Sequence, residues 1–289
     1  MAHTGNQIMN GWFSEICPMW PGMALSVEIE KTLVSTASPY QQIDLYQTRS
    51  YGKMLVLDGI IQLTERDEFA YHEMMAHVPL FAHPCPERVL VIGGGDGGTL
   101  REAARHKEIR ILDICEIDGM VIDISKQYLP EVACGFDDPR VCVHIRDGNL
   151  FLDEHPDTYD VIIVDSSDPI GPGEALFEKP FYEKLKRALK PGGLVAAQGE
   201  SVFIHQETVS RLFSIVKSLF DTRAYASITV PSYPGGTIGI CLGSLGVALT
   251  QPSRTIPDAM QKHLKYYSEQ VHKAAFALPR FAKTLLEQS

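Results

Sequence analysis

The chain has no apolar stretch long enough to cross a membrane, and its first residues, Met1-Ala-His-Thr-Gly-Asn-Gln7, lack a basic segment followed by an apolar core. Neither a membrane span, which needs about 20 apolar residues, nor a secretory leader is expected. Basic residues are in deficit: 26 Lys and Arg stand against 36 Asp and Glu, for a formal net charge of −10. Nucleic acid and anionic membrane surfaces, which select basic patches, are disfavoured as partners, whereas cationic small molecules are compatible. Cys-x-x-Cys pairs are absent. The six cysteines are scattered and fall mostly in apolar strand-like runs, the pattern of reduced core thiols in a cytoplasmic protein. Repeats and low-complexity tracts are also missing, so 289 residues with 45% hydrophobic content suit one large α/β core plus a smaller satellite domain.

What is present changes pattern near residue 65. Residues 1–65 read as a small β-strand domain: Ala24 to Val34 alternates apolar and polar residues, and Met54 to Leu63 carries an Asp58-Gly59 hairpin turn. A helix is expected from about Asp67 to Phe81. From Arg88 onward, apolar strands at about 88–92, 110–116, 140–145, 159–165 and 193–199 alternate with helical stretches near 99–107, 118–128 and 178–190, the last stopped by Pro191-Gly192-Gly193. Runs near 222–230 and 236–243 predict an antiparallel edge hairpin, and a helical tail closes the chain. Residues 66–289 are therefore expected to form an α/β, Rossmann-like doubly wound sheet.

The run Val89-Leu-Val-Ile-Gly-Gly-Gly-Asp-Gly-Gly98 leaves the first of these strands and opens a helix. Gly93, Gly95 and Gly98 fit a dinucleotide fingerprint, whose helix N-terminus normally receives a pyrophosphate or carboxylate on free N–H groups. Asp96, set among them, repels an anion and attracts a cation. The loop thus suits an adenosine-type ligand with a positive tail. Ligands of open α/β sheets bind beyond the carboxyl ends of the strands, and Glu116, Asp147, Asp165 and Asp168 fall there too. Each alone reads equally as a cap or turn residue; together they converge on one crevice. Glu116, about twenty residues past the loop, is placed to accept both hydroxyls of a ribose. Asp147-Gly148 suits either an adenine edge or a helix cap. Asp165-Ser-Ser-Asp-Pro-Ile-Gly-Pro-Gly173 follows the apolar Val161–Val164 and reads as a lid carrying two carboxylates.

Other features carry less. His72, Glu73 and His77 are spaced one residue too widely for a His-Glu-x-x-His zinc helix, so no metal is expected. The ten histidines form no evident cluster, Trp12, Phe13 and Trp20 read as packing or a subunit contact, and no histidine stands beside Ser166 or Ser167 to complete a hydrolase triad.

Taken together, Gly93-Gly-Gly-Asp-Gly-Gly98, Cys115-Glu-Ile-Asp118, Asp147-Gly148 and Asp165-Ser-Ser-Asp-Pro169 resemble the spermidine synthases, the aminopropyltransferases of polyamine synthesis. The resemblance extends to Tyr40-Gln41, Val56-Leu-Asp-Gly-Ile-Ile-Gln62, Asp67-Glu-Phe-Ala-Tyr-His-Glu73, Gln198-Gly-Glu200, Pro231-Ser-Tyr-Pro-Gly-Gly236 and Phe276-Ala-Leu-Pro279. It departs at Thr99, where many relatives carry an aliphatic residue, and at Phe203, where several carry tryptophan. It implies a methyltransferase-type fold, a homodimer, and transfer of an aminopropyl group from decarboxylated S-adenosylmethionine to putrescine, giving spermidine and 5′-methylthioadenosine. That donor is a co-substrate, and no prosthetic group is implied. Because it lacks the methionine carboxylate, Asp96 would pair with its ammonium and turn away ordinary S-adenosylmethionine.

By the same resemblance, Gln41, Gln62, Gly93, Gly95, Glu116 and Ile117 hold the sulfur-side and ribose groups, Asp147 and Gly148 read the adenine, and Pro172 and Leu176 cover the ring. Asp165 with Tyr71 would orient and deprotonate the attacking amine. His72, Asp168, Gln198, Glu200 and Tyr233 would complete the acceptor pocket, which Tyr71, Asp96 and Asp165 border. A spermine-type or broader acceptor range is the alternative, as is a polyamine-binding relative without turnover. A methyltransferase or a nicotinamide-dependent oxidoreductase would need an anion on the glycine loop, which Asp96 opposes.

Overall fold

The computed structural model describes residues 7–169 and 171–289; the side chains of Gln7 and Pro172 lie outside the described residues. Alternating apolar positions build the first sheet. Its six antiparallel strands, β1 Gln7–Met9, β2 Trp12–Glu15, β3 Leu25–Ala37, β4 Gln42–Thr48, β5 Lys53–Leu57 and β6 Ile60–Thr64, lie side by side in chain order. The β5–β6 turn holds Asp58 at φ 47° and Gly59 at φ 83°, both positive as a two-residue type I′ hairpin requires. Helix α1, Glu68–Ala82, leads out of this sheet and is buried along nearly its whole length.

A second sheet takes seven strands, β7 Arg88–Gly93, β8 Ile111–Glu116, β9 Val141–Ile145, β10 Tyr159–Asp165, β11 Leu189–Gln198, β12 Thr222–Thr229 and β13 Thr237–Ser244, in the order β12-β13-β11-β10-β7-β8-β9. The strands from β9 through β11 run parallel, and β12 and β13 form the expected antiparallel edge hairpin. Between them lie α2 Gly98–Ala104, α3 Gly119–Tyr128, α4 Pro130–Ala133, α5 Gly148–Asp153, α6 Lys179–Ala188 and α7 Gln206–Leu219. One face of the sheet packs on α1 and α2 through Met75, Phe81 and Leu100, the other on α5, α6 and α7 through Phe151, Leu185 and Val216. Ile43, Leu45 and Leu55 of the first sheet pack on Val121 and Ile124 of α3. Short helices α8 Asp258–Gln261, α9 Glu269–Ala274 and α10 Arg280–Gln288 close the chain. Among the described residues no helix is long and apolar enough to cross a membrane.

Two expectations need correction. Pro191-Gly192-Gly193 does not stop α6: the helix ends at Ala188, Leu189 is already extended at φ −77° and ψ 140°, and the Pro-Gly-Gly segment lies inside β11. There the pairing with β10 shifts register between Leu189 and Leu194, an irregularity that accommodates a proline without a ladder N–H. Helix α7 was not expected, although Val209, Leu212, Phe213 and Val216 bury one face at amphipathic spacing.

Candidate active site

Strands β7 and β10 are neighbours in space but far apart in sequence, so crossovers leave them in opposite directions and open a crevice at their carboxyl ends. Gly93 pairs with Asp165 across this point, and the Gly94 N–H donates to the Asp165 carbonyl at 2.8 Å. A Cβ at Gly93 would sit 2.2 Å from that carbonyl oxygen, at a φ of +79°, so a side chain here would push the glycine loop away from Asp165. Gly98 serves a different neighbour: a Cβ there would meet the His72 ring at 2.2 Å. The last glycine of the run makes room for an imidazole.

Every residue expected at the site except Pro172, whose side chain lies outside what is described, lines this one cleft. On the glycine-loop side, Asp96 Oδ1 accepts the Gly98 N–H at 2.7 Å and lies 3.3 Å from His72 Nε2. Glu116 accepts the Asp118 N–H at 2.8 Å, and burial pushes its carboxyl up to about 7. Asp118 caps α3 and also accepts from Gln41 Nε2 at 2.9 Å, which ties the first sheet to the cleft beside Ile117. Asp147 accepts the Asn149 N–H at 2.7 Å, so it caps α5 while facing the cleft with Gly148. Gly95, Gln62 and Leu176 complete this side.

At the centre, the Tyr71 hydroxyl donates to Asp165 Oδ1 at 2.7 Å, while Oδ2 is buried beside the Thr99 hydroxyl without a well-aligned hydrogen bond. Burial and the nearby Asp96 raise the Asp165 carboxyl above its ordinary range. Burial and Asp165 raise the Tyr71 phenol well above its own, so it remains a hydrogen-bond donor. Tyr233 packs edge-on to Tyr71 at 5.8 Å and donates to the Gln62 carbonyl at 2.8 Å.

At the far end, Asp168 and Glu200 face each other. Burial, Glu200 and Glu15 hold the Asp168 carboxyl well above the usual range. Gln198 Nε2 donates to Glu200 Oε1 at 3.4 Å. Glu200 sits at φ +58°, a strained conformation for a side-chain-bearing residue, with its carbonyl accepting from the Tyr225 hydroxyl at 2.5 Å.

Three residues here had no local sequence signal. Trp20, expected only as packing or a subunit contact, does pack on Cys17 and Ile60 but also lines the cleft, with its indole Nε1 buried and unpartnered among the described residues. His205 Nδ1 lies 2.6 Å from Glu200 Oε2. Glu15 accepts the Ile61 N–H at 2.6 Å, and burial lifts it to about 7. The expectation of no histidine cluster is also corrected: His77 and His106, far apart in sequence, meet at 2.9 Å behind α1, with Glu102 3.2 Å from His77.

His72, Asp96 and Asp165 bring ligand atoms within 4.8 Å of one another, a spacing that would also suit a metal ion. Burial alone would depress the His72 pKa, but Asp96, Glu68 and Asp165 outweigh it and hold the ring at about 9. The trio brings one basic and two acidic groups together in a cleft rich in carboxylates.

The family model described as the spermine/spermidine synthase domain matches residues 68–251, and one described as the spermidine synthase tetramerisation domain matches residues 11–65. The chain is 51% identical to a spermidine synthase of Coffea arabica, covering 98% of this chain and 92% of that one. It is 50% identical to a spermidine synthase of Dictyostelium discoideum, covering 96% and 98%. Among solved structures, a spermidine synthase in complex with the transition state analogue AdoDATO superposes with a TM-score of 0.90 at 36% identity, over 99% of both chains. The spermidine synthase of Thermotoga maritima gives 0.88 at 35% identity, over 100% of this chain and 98% of that one.

Proposed function

The chain belongs to the spermidine synthase family, and from that premise we propose how its cleft moves an aminopropyl group from decarboxylated S-adenosylmethionine to putrescine, releasing spermidine and 5′-methylthioadenosine. One observation carries the assignment of roles: six carboxylates, Asp96, Glu116, Asp147, Asp165, Asp168 and Glu200, line a single cleft, and both substrates are cations.

The donor lies on the glycine-loop side. Asp147 and Gly148 read its adenine, Glu116 accepts from its ribose beside Ile117 and Gly95, Gln41 and Gln62 flank the sulfur side, and Asp96 takes its ammonium. Ordinary S-adenosylmethionine would bring a carboxylate against Asp96, so this acid selects the decarboxylated form.

The reaction is a displacement at the carbon next to sulfur. The amine nitrogen forms a bond to that carbon, the carbon–sulfur bond breaks with its electron pair going to sulfur, and the sulfonium becomes a neutral thioether. The amine must first lose a proton. With a lysine-like pKa of ~10.4, about one molecule in a few thousand is neutral at pH 7. Asp165, raised by burial and by Asp96 and oriented by Tyr71, takes that proton. The adjacent sulfonium lowers the amine's own pKa. Asp168, Glu200 and Gln198 hold the far ammonium, which relieves the repulsion between the two acids, and Tyr233 and His72 line the path between.

The two sheets, and the two family models meeting between residues 65 and 68, support a division into a β domain at 1–65 and a catalytic domain at 66–289. The tetramerisation model and the exposed Met9, Trp12 and Ile16 support self-association, with a homodimer as the unit. The six free cysteines support a reducing compartment such as the cytoplasm. The testing experiment is mass-spectrometric product detection after incubating the protein with decarboxylated S-adenosylmethionine and, separately, putrescine, cadaverine or spermidine. Spermidine formed fastest from putrescine is expected. Faster conversion of spermidine would make the enzyme spermine-forming, and no turnover with any amine would overturn the reading.

A further inference from the structure

Behind the glycine loop, ionic contacts lead out of the cleft. His72 stands between two acids: Nε2 is 3.3 Å from Asp96 Oδ1, and Nδ1 is 2.6 Å from Glu68 Oε2. Arg101, on α2, grips Glu68 with both terminal nitrogens, at 3.1 Å to Oε1 and 2.8 Å to Oε2, and turns its Nε to Glu102 at 2.7 Å. The His72 ring is fully buried against the position where Gly98 lacks a side chain. A neutral imidazole carries one N–H and would turn a lone pair toward one of its two acids, so only the imidazolium satisfies both. Burial would lift Glu68, but His72 and Arg101 pull it down to about 2, which agrees with a charged pair.

We propose that Glu68 and Arg101 are positioning residues for the donor: clamping His72 from behind, they keep the Nε2 side of its charged ring in an ion pair with Asp96, 3.3 Å away, and so fix how the loop carboxylate receives the donor's ammonium. Neither residue lines the cleft, so their effect on the donor has to pass through His72. Without the Glu68 charge, the ring keeps Nδ1–H toward position 68, Nε2 becomes a lone pair facing Asp96, and the carboxylate turns away. The inference rests on the donor site proposed above.

The test uses the full chain, with Glu68→Gln and Arg101→Lys made alone and combined with His72→Gln. Three quantities are read: the KM for decarboxylated S-adenosylmethionine, the KM for putrescine, and the Kd for methylthioadenosine, which lacks the aminopropyl ammonium. Glu68→Gln is expected to raise the donor KM about tenfold, the scale of a lost charged hydrogen bond, with the other two quantities unchanged. Arg101→Lys, which keeps the charge but loses the two-nitrogen grip, gives a smaller rise in the same direction. In the His72→Gln background neither substitution adds to the donor KM.

The pH profile supplies a readout that a merely structural role would not move. His72 is faced by Glu68 and Tyr71 from α1, by Asp96 from the loop and by Asp165 from β10, with Arg101 behind Glu68. Above the Glu116 titration near 7, the wild-type donor KM should hold steady until the ring loses its proton near pH 9, and Glu68→Gln should move that second break to lower pH. A methylthioadenosine Kd that weakens in step with the donor KM, or effects that add to His72→Gln, would overturn the clamp. If Glu68→Gln does not fold, Arg101→Lys carries the same comparison. Wild-type turnover is scored separately: its absence sinks the proposed function, whereas its presence with an unmoved donor KM in the variants sinks only the clamp.

Discussion

At the end of the cleft proposed for the donor each acid already accepts a backbone N–H, Asp96 from Gly98, Glu116 from Asp118 and Asp147 from Asn149, whereas at the end proposed for the acceptor Asp168 and Glu200 face each other with Glu15 close behind. Acids anchored by amides are in place before a ligand arrives, so less ordering is left for the binding step. Crowding by Glu200 and Glu15 adds to burial in holding the Asp168 carboxyl well above its usual range, and a cation between the acids removes that repulsion. Under the roles proposed above, the enzyme meets its two cationic substrates differently, with a preformed seat for the nucleoside donor and a self-repelling pocket that becomes favourable when the diamine fills it. Asp165 stands where the two regions join, held by Tyr71 and lifted by burial and by Asp96.

The strongest way to break this comparison is at the junction. Asp165→Asn should lower kcat by roughly 10²- to 10⁴-fold, the usual range for loss of a general base, and an unchanged kcat would remove Asp165 from proton transfer. Next in size, Asp96→Asn should let ordinary S-adenosylmethionine compete roughly tenfold more tightly or better, because its carboxylate no longer meets a charge; an inhibition constant that stays put would deny Asp96 its selecting role. Glu200→Gln should raise the putrescine KM by up to roughly tenfold and leave the donor KM alone, and a shift in the donor KM instead would exchange the two ends.

The smallest effect concerns pH. Burial raises the Glu116 carboxyl to about 7, so its ionised form, which in the proposed site accepts both ribose hydroxyls, grows as pH rises through 7. Methylthioadenosine should accordingly bind a few-fold more tightly at pH 8 than at pH 6, less than the ~10-fold limit for a strictly required carboxylate because the protonated acid still accepts one hydroxyl. Calorimetric titration at the two pH values checks this, and Glu116→Gln should flatten the difference.

The donor end was the more legible of the two in the sequence. Asp96, Glu116 and Asp147 each follow a short apolar strand, so local periodicity places them at one edge of a parallel sheet, and the glycine run marks the first strand among them. Asp165 and Asp168 could be read the same way from Val161–Val164. The far end was only half legible, because Glu15 arrives from β2, Trp20 from the loop after it and His205 from the start of α7. Such convergence is set by how the two sheets pack, and no spacing in the chain records it. The same holds for Glu68 with Arg101 and for His77 with His106 just past the end of α2, pairs joined only when α1 lies against α2 and the segment after it. Pro191 misled for a related reason: a proline after a helix reads as a stop, but here a β-irregularity takes it up.

The comparison is tested most directly by steady-state KM values for both substrates in Asp96→Asn and Asp168→Asn, measured side by side. The expected result is a crossing: Asp96→Asn raises the KM for decarboxylated S-adenosylmethionine with the putrescine KM unchanged, and Asp168→Asn does the reverse. Two variants that move the same KM, or that each move both KM values together, would contradict a cleft divided into a preformed donor seat and a self-repelling acceptor pocket.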